Sequence, residues 1–183
     1  MSSSGSRALN RGKNWERTVA KAFSMWITHG ETDAAIVRQS MMGRMVERII
    51  GDLAASPDVT DKWRASAQWF ASSIMVDAKN DINFSMRNII GKSGTAMLAW
   101  WKKLSDNASR SGRRPLLVPL DGQSNERYIV LCHGMAEDSI HGWPNSVSDY
   151  IVLRIRGTDP LVILRLDDFI NVADPNRLGC PQA

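Results

Sequence analysis

The residues best placed to do chemistry are an acid and a lysine two positions apart, Asp77 and Lys79, within Ile74-Met75-Val76-Asp77-Ala78-Lys79-Asn80. This stretch reads as a buried strand. Side chains alternate faces along a strand, so Ile74, Val76 and Ala78 point one way and Met75, Asp77 and Lys79 the other. A carboxylate and an ammonium therefore emerge side by side at the strand's end. That pairing suits a divalent metal held beside a cation that positions a water. Alone the triplet carries little weight: 19 acids and seven lysines in 183 residues give roughly 0.7 such triplets by chance. A surface salt bridge closing a strand accounts for it equally well.

Two further acids come earlier in the chain. A helix is predicted from near Ala8 to Thr28, with Trp15, Val19, Phe23, Trp26 and Ile27 at the 3.6-residue period of a buried face. Glu16 lies at the edge of that stripe and can look into a cleft. Arg11, Lys13, Arg17 and Lys21 crowd the same helix, as a solvated basic face or as contacts to an anion. Asp52 follows the apolar pair Ile49-Ile50 in Gly51-Asp52-Leu53, a strand start or a turn into one. Asp58 is a rival for the same role, but Ser56-Pro57-Asp58 is a turn signal.

The remaining elements have to hold these groups together. Ala34 to Val37 reads as a short strand, and Met41 to Arg48 as a helical turn or a loop, with Arg38, Arg44 and Arg48 forming a second basic region. Ala54 to Arg64 reads as a polar connection, and Trp69 to Lys79 as the central strand. Thr95 to Ser109 is predicted as a helix, with Met97, Leu98, Trp101, Leu104 and Ala108 as its apolar stripe and Gly112 at its end. Trp101 is expected in the core, with Trp100 filling the space between helix and sheet; stacking on bases is the alternative for the pair. Pro115 to Pro119 and Tyr128 to Cys132 read as strands joined through Asp121-Gly122. Residues 133–148 look like a loop, Tyr150 to Arg156 a half-exposed strand, Leu161 to Leu166 another strand, and Asp167 to Val172 a last helical turn. In domain terms this gives a flexible arm over residues 1–10, a single domain over 11–172 with a loop-rich insertion at 133–160, and a polar tail at 173–183.

Other motifs fail on their own terms. Gly91-Lys92-Ser93 suggests a phosphate loop, but the glycine required five residues earlier is Met86. Cys132, His133 and His141 lack a fourth zinc ligand at a familiar spacing. Length and a 43% hydrophobic content fit one well-cored domain and exclude global disorder. Arginine makes up 16 of the 23 basic residues in a chain of net charge +4, a bias suited to gripping phosphates. Two distant cysteines, a polar amino terminus and no membrane-length apolar run predict a soluble intracellular, cytoplasmic protein without a membrane partner.

Taken in order, Arg11-Gly12-Lys13-Asn14-Trp15-Glu16-Arg17, Gly51-Asp52-Leu53, Val76-Asp77-Ala78-Lys79-Asn80, Ala99-Trp100-Trp101-Lys102 and Gly112-Arg113-Arg114-Pro115-Leu116-Leu117-Val118 resemble the PD-(D/E)xK nuclease superfamily. Within it they resemble the Holliday-junction resolvase-like nucleases of viruses, mobile elements and archaea. The similarity runs from about Arg11 to Leu131, with a looser match at Val162 to Phe169. It implies an α/β, restriction-endonuclease-like core, a central mixed β-sheet flanked by helices. It further implies that Glu16, Asp52 and Asp77, with the backbone carbonyl of Ala78, bind Mg2+ or Mn2+ while Lys79 orients or activates water. Asp58 is the alternative to Asp52, since Pro57-Asp58 spells the first half of the motif. An aspartate at position 77 departs from the glutamate more usual there, shortening the reach by one carbon.

The expected activity is metal-dependent endonucleolytic hydrolysis of DNA, above all of branched or junction DNA by a homodimer. The rivals are another nuclease of this superfamily, restriction-like or end-processing, and a non-catalytic DNA-binding or assembly protein on the same scaffold. Arg11, Lys13, Arg17, Lys21, Lys102, Lys103, Arg113 and Arg114 are the expected phosphate contacts.

Overall fold

A computed structural model of the chain describes residues 3–39, 51–155 and 158–181. Arg44, Arg48 and the pair Ile49-Ile50 lie outside the described residues. Helix α1 (Ser3–Ile27) buries Trp15, Val19, Phe23, Trp26 and Ile27 along one stripe, as the periodicity predicts. It extends well into the stretch 1–10 set aside as a flexible arm. Its end is closed by two residues of positive φ, His29 and Gly30, with the Gly30 N–H donating back to the Met25 carbonyl at 2.8 Å.

A small antiparallel pair follows, β1 (Ile36–Arg38) and β2 (Leu53–Ala55), in the register Arg38 opposite Leu53. The next element corrects the sequence reading. Residues expected as a polar connection and the first half of a strand form helix α2 (Asp61–Ser73), burying Trp63, Ser66, Ala67 and Phe70. These positions carry the i, i+3, i+4, i+7 period of a helix. No turn residue separates the helix from strand β3 (Ile74–Asp81): the Ile74 N–H makes the last helical bond, to the Phe70 carbonyl, and the chain then becomes extended. Apolar residues of helix and strand thus run together from Trp69 to Val76 and read as one element.

Helix α3 (Lys92–Arg110) connects β3 to the parallel strand β4 (Arg114–Asp121) and terminates at Gly112, whose φ is +67°. Strand β5 (Tyr128–Cys132) pairs antiparallel with β4 and with β7 (Leu161–Arg165), and β6 (Tyr150–Leu153) pairs with β7 at the edge. The result is a mixed five-stranded sheet in the order β3-β4-β5-β7-β6. The region 133–160 is less loop-like than its composition suggests. It opens with helix α4 (His133–Ser139), which buries Met135 and Ala136, and it contributes β6. Helix α5 (Leu166–Val172) follows β7 directly, and a short 3-10 turn at Pro175–Leu178 follows that helix. Of the stretch 173–183, expected as a polar tail, residues 173–181 are packed down: Leu178 and Cys180 are buried, and the Ser66 hydroxyl on α2 donates to the Pro181 carbonyl at 2.8 Å.

Two cores lie on the two faces of the sheet, and β3 feeds both by alternation. Ile74, Val76 and Ala78 join α1, α2, α4 and α5 in the larger core, while Met75 joins Met97, Leu104 and Ala108 of α3 in the smaller. Among the described residues, no helix is long and apolar enough to cross a membrane. The architecture is that of an α/β restriction-endonuclease-like fold, with five described helices around a mixed sheet.

Candidate active site

Three elements converge where β3 ends. The first is α1, whose rotation is fixed by the Trp15 indole: its Nε1 donates to the Val118 carbonyl at 3.0 Å in a buried bond. Val118 lies opposite Ala78 in the β3–β4 register, so this bond brings the neighbouring Glu16 to the level of Ala78. Glu16 is half-buried and forms an ion pair with Arg38 of β1, through Nε and Oε2. Further along, the Asn80 side-chain amide donates to the Arg11 carbonyl at 3.3 Å, tying α1 to the last turn of the strand.

The second element is the segment leading into β2. β3 is an edge strand, and Gly51 and Asp52 run along its free side. The Asp52 N–H donates to the Val76 carbonyl at 3.0 Å, and the Ala78 N–H donates to Asp52 Oδ2 at 2.7 Å. Asp52 thereby stands in for a neighbouring strand with its backbone and its side chain together. Gly51 makes this possible. Its φ is +81°, and a Cβ there would sit 2.9 Å from the Val76 carbonyl oxygen.

The third is β3 itself. Asp77 and Lys79 project from the same face, with Lys79 Nζ 2.5 Å from Asp77 Oδ1. Burial pushes the Asp52 carboxyl up to about 7, and the charge of Asp77, with a smaller contribution from Glu16, adds to the rise; the Ala78 N–H and Lys79 oppose it. Burial works against the Lys79 ammonium, but Asp77, Asp52 and Glu16 outweigh it and hold that group above its ordinary value. Lys79 is therefore a firm cation at neutral pH, fitted to donate hydrogen bonds and not to accept a proton.

Glu16, Asp52, Asp77 and Lys79 thus share one electrostatic site. Asp58 does not join it by any described contact. It lies exposed in the turn after β2, its N–H donating to the Ser56 hydroxyl. Among the described residues, no three His, Cys, Asp or Glu side chains form a ready-made metal cage. Each acid is instead engaged separately: Asp52 with the Ala78 N–H, Asp77 with Lys79, Glu16 with Arg38. The donor set nevertheless fits a hard divalent cation. It consists of carboxylate oxygens beside a strand carbonyl, and the Asp52 carboxyl, raised first by burial and then by the charge of Asp77, would be relieved by a bound cation.

The basic residues divide by position. Arg11 and Lys103 line the groove that contains Asp77 and Lys79. Lys21 is paired with Asp33 at 2.9 Å, Arg17 is bonded to Asn14, and Lys13 is half-buried on α1. Lys102 lines a separate cavity with Trp101, Pro115 and Cys132. Arg114 stands opposite Ile74, five residues before Lys79, so Arg113 and Arg114 lie about 16 Å along the sheet from the site. Burial lowers the Arg113 guanidinium, and Arg114 is 3.5 Å from Asp138.

Two residues missed in the sequence, Arg38 and Ile82, lie here with Trp100. Arg38 was one of several arginines in an unassigned basic region, and its contact with Glu16 spans 22 positions. Trp100, read from the sequence as filling the space between helix and sheet or as stacking on bases, is half-buried on Phe84 against the smaller core and also lines the groove. Trp101, expected in the core, is part-buried: it packs against the smaller core and lines a separate cavity. Ile82, exposed at the end of β3, had no periodic signal to mark it. The Gly91-Lys92-Ser93-Gly94 run has a packing reason instead of a nucleotide: a Cβ on Gly94 would fall 1.8 Å from the Ile89 carbonyl oxygen.

An edge strand carrying an aspartate and a lysine on one face, flanked by a helix-borne glutamate and a second aspartate, is the arrangement that the resemblance to PD-(D/E)xK nucleases implies. The chain belongs to the phage putative PDDEXK endonuclease family, whose model matches residues 7–178. No curated protein and no solved structure matches it.

Proposed function

We propose that the protein is a metal-dependent DNA endonuclease that resolves branched DNA, Holliday junctions above all, as a homodimer. The observation that carries the reading is the half-buried Asp52 carboxylate seated on the Ala78 N–H between Asp77 and Lys79. Asp52, Asp77 and the Ala78 carbonyl would hold Mg2+ or Mn2+, with Glu16 as a further ligand once it leaves Arg38. The bound ion supplies charge neutralisation at the scissile phosphate and a water acidic enough to act as nucleophile. Lys79, fixed beside Asp77, orients that water and adds positive charge where the pentacoordinate phosphate develops. Arg11 and Lys103 grip the flanking backbone.

What supports branched DNA over plain duplex is the groove that leads away from Asp77 past Asn80 to Ile82 and Trp100, which would give a strand diverging from a helix a path of its own. Symmetric cutting of a four-way branch needs two active sites, hence the homodimer. The test is to incubate the protein with four-way junction, linear duplex and single-stranded DNA, with magnesium, with manganese and with EDTA. Paired, metal-dependent nicks near the branch, made by a species that sediments as a dimer, are expected. Cutting of plain duplex at an equal rate would assign a restriction-like or end-processing nuclease, and binding without cutting would assign a non-catalytic protein.

A further inference from the structure

The groove that begins at Asp77 and Lys79 continues past Asn80 and Asp81 to an apolar patch made by Ile82 and Trp100, with a volume of about 530 Å3. That size is within the range of small-ligand sites, roughly 300–1,000 Å3. Ile82 is 58% exposed at the tip of a turn, a position normally taken by a polar residue. The turn is held rigidly. The Asn83 N–H donates to Asp81 Oδ1 at 2.9 Å, the Phe84 N–H to the Asp81 carbonyl at 3.0 Å, and the Gly122 N–H to the Phe84 carbonyl at 2.9 Å. Gly122 packs so closely that a Cβ there would lie 2.4 Å from the Ile82 carbonyl oxygen. The buried Asp121 carboxylate then fixes the far side, accepting from the Met86 N–H at 2.8 Å and the Ser85 hydroxyl at 3.3 Å. An isoleucine is thus kept in water by a turn that cannot fold it away.

Trp100 is the second half of the patch. Its ring rests on Phe84, with centroids 5.5 Å apart and planes tilted by 50°, and its remaining surface faces the groove. Arg11 and Lys103 stand exposed beside it, neither in an ion pair among the described residues. Of the two acids in the groove, Asp77 is paired with Lys79, and Asp81 is bound into the turn. Three cations, Arg11, Lys79 and Lys103, against two carboxylates leave the groove with a net positive charge. Cations flanking an aromatic and an aliphatic surface are the chemistry that recognises a nucleotide with its base face uncovered.

We infer that Ile82 and Trp100 form a stacking platform for one unpaired base, on the strand whose phosphates pass Arg11 and Lys103 to reach Asp77 and Lys79. A base inside a duplex has both faces covered by its neighbours, so only a base displaced at a branch, flap or single strand can occupy the platform. Ile82 is three residues beyond Lys79, within about 10 Å, so the base read is next to the phosphate that is cut. This rests on the nuclease reading and names the feature of branched DNA that the site selects.

The test is an abasic scan. A forked DNA with a single reduced abasic residue at each unpaired position in turn is titrated with the full chain, calcium replacing magnesium, and binding is read by fluorescence anisotropy. One position next to the branch should weaken binding roughly 5- to 100-fold, the range expected for a single base–aromatic stack. Trp100→Ala should abolish the difference at that position while duplex affinity stays within twofold, and Trp100→Phe should restore part of it. Ile82→Ser, at a largely exposed site with little packing to lose, should show a smaller loss at the same position. A flat scan with the unaltered protein overturns the inference without any variant, and so does a Trp100→Ala loss equal on fork and duplex. Cleavage assays with magnesium keep the two ideas apart: cutting with a flat scan removes only the platform, and a position-specific scan without cutting removes only the nuclease.

Discussion

Asp52 and Ala78, 26 positions apart, are joined by a 2.7 Å hydrogen bond in which a carboxylate takes the place of a missing neighbour strand. The bond ties an ionisable side chain to the edge of the sheet beside two other acids. Stability and site electrostatics therefore depend on the same residue.

That coupling gives a pH dependence with a definite sign. Burial and the charge of Asp77 push the folded Asp52 carboxyl up to about 7 from its ordinary 3.8, so between these values the folded protein keeps a proton that the unfolded chain has released. The stability from this group is fully present below about 4 and is lost as pH rises through about 7. The loss should be roughly 1–3 kcal/mol, less than the full shift because the carboxylate keeps some contact with water. Urea titrations in EDTA from pH 4.5 to 8 measure it. In Asp52→Asn the amide oxygen can still accept from Ala78 but carries no charge, so the difference between the two profiles isolates the group. Parallel profiles would refute the assignment.

Gly51→Ala should cost about 1–3 kcal/mol, from the positive φ and from the approach to the Val76 carbonyl. Cleavage should fall further than stability, since Asp52 is carried on the displaced backbone. Gly112→Ala is the control: φ is +67° there too, but nothing lies within 4 Å of the added methyl. It should share the strain and leave cleavage intact. Equal cleavage by both variants would mean that Gly51 does not position Asp52.

Much of this site was legible because its parts obey local periods. The α1 stripe placed Glu16 at the edge of a buried face, and strand alternation put Asp77 and Lys79 together on β3. The stripe of α3 and the strands after it likewise follow from patterning. What escaped was set by contacts distant in sequence or by elements that abut. Helix α2 was hidden because its apolar stripe flows into β3 with no turn residue between them. Choosing Asp52 over Asp58 depends on which one reaches the free edge of β3, and that is decided by Gly51 packing against Val76. Nothing near Arg38 in the chain announces a glutamate 22 residues earlier, and Trp100 looks like any aromatic on an amphipathic helix until the turn carrying Ile82 is placed beside it.

Arg38→Ala should leave Glu16 as an unpaired, half-buried carboxylate next to two more acids. We expect about 1–3 kcal/mol of destabilisation in EDTA. Because the lost cation can be replaced by a bound one, added manganese should raise the melting temperature of the variant by more than it raises that of the unaltered protein. An equal metal-induced shift in the two would show that Arg38 and the metal do not compete for Glu16.

The sharpest comparison sets four single substitutions against one another. Asp77→Asn and Lys79→Ala remove groups that face the reacting phosphate in the proposed chemistry, so each should reduce cleavage at least about 100-fold. DNA binding should change by less than about threefold, because Arg11 and Lys103 still hold the backbone. Asp52→Asn should behave like Asp77→Asn. Asp58→Asn, in an exposed turn with no described contact to the site, should cut at the normal rate. If Asp58→Asn is inactive and Asp52→Asn active, the metal is held from the turn, and the hydrogen bond to Ala78 is architectural alone. If all four retain activity, phosphodiester hydrolysis takes place elsewhere on the molecule.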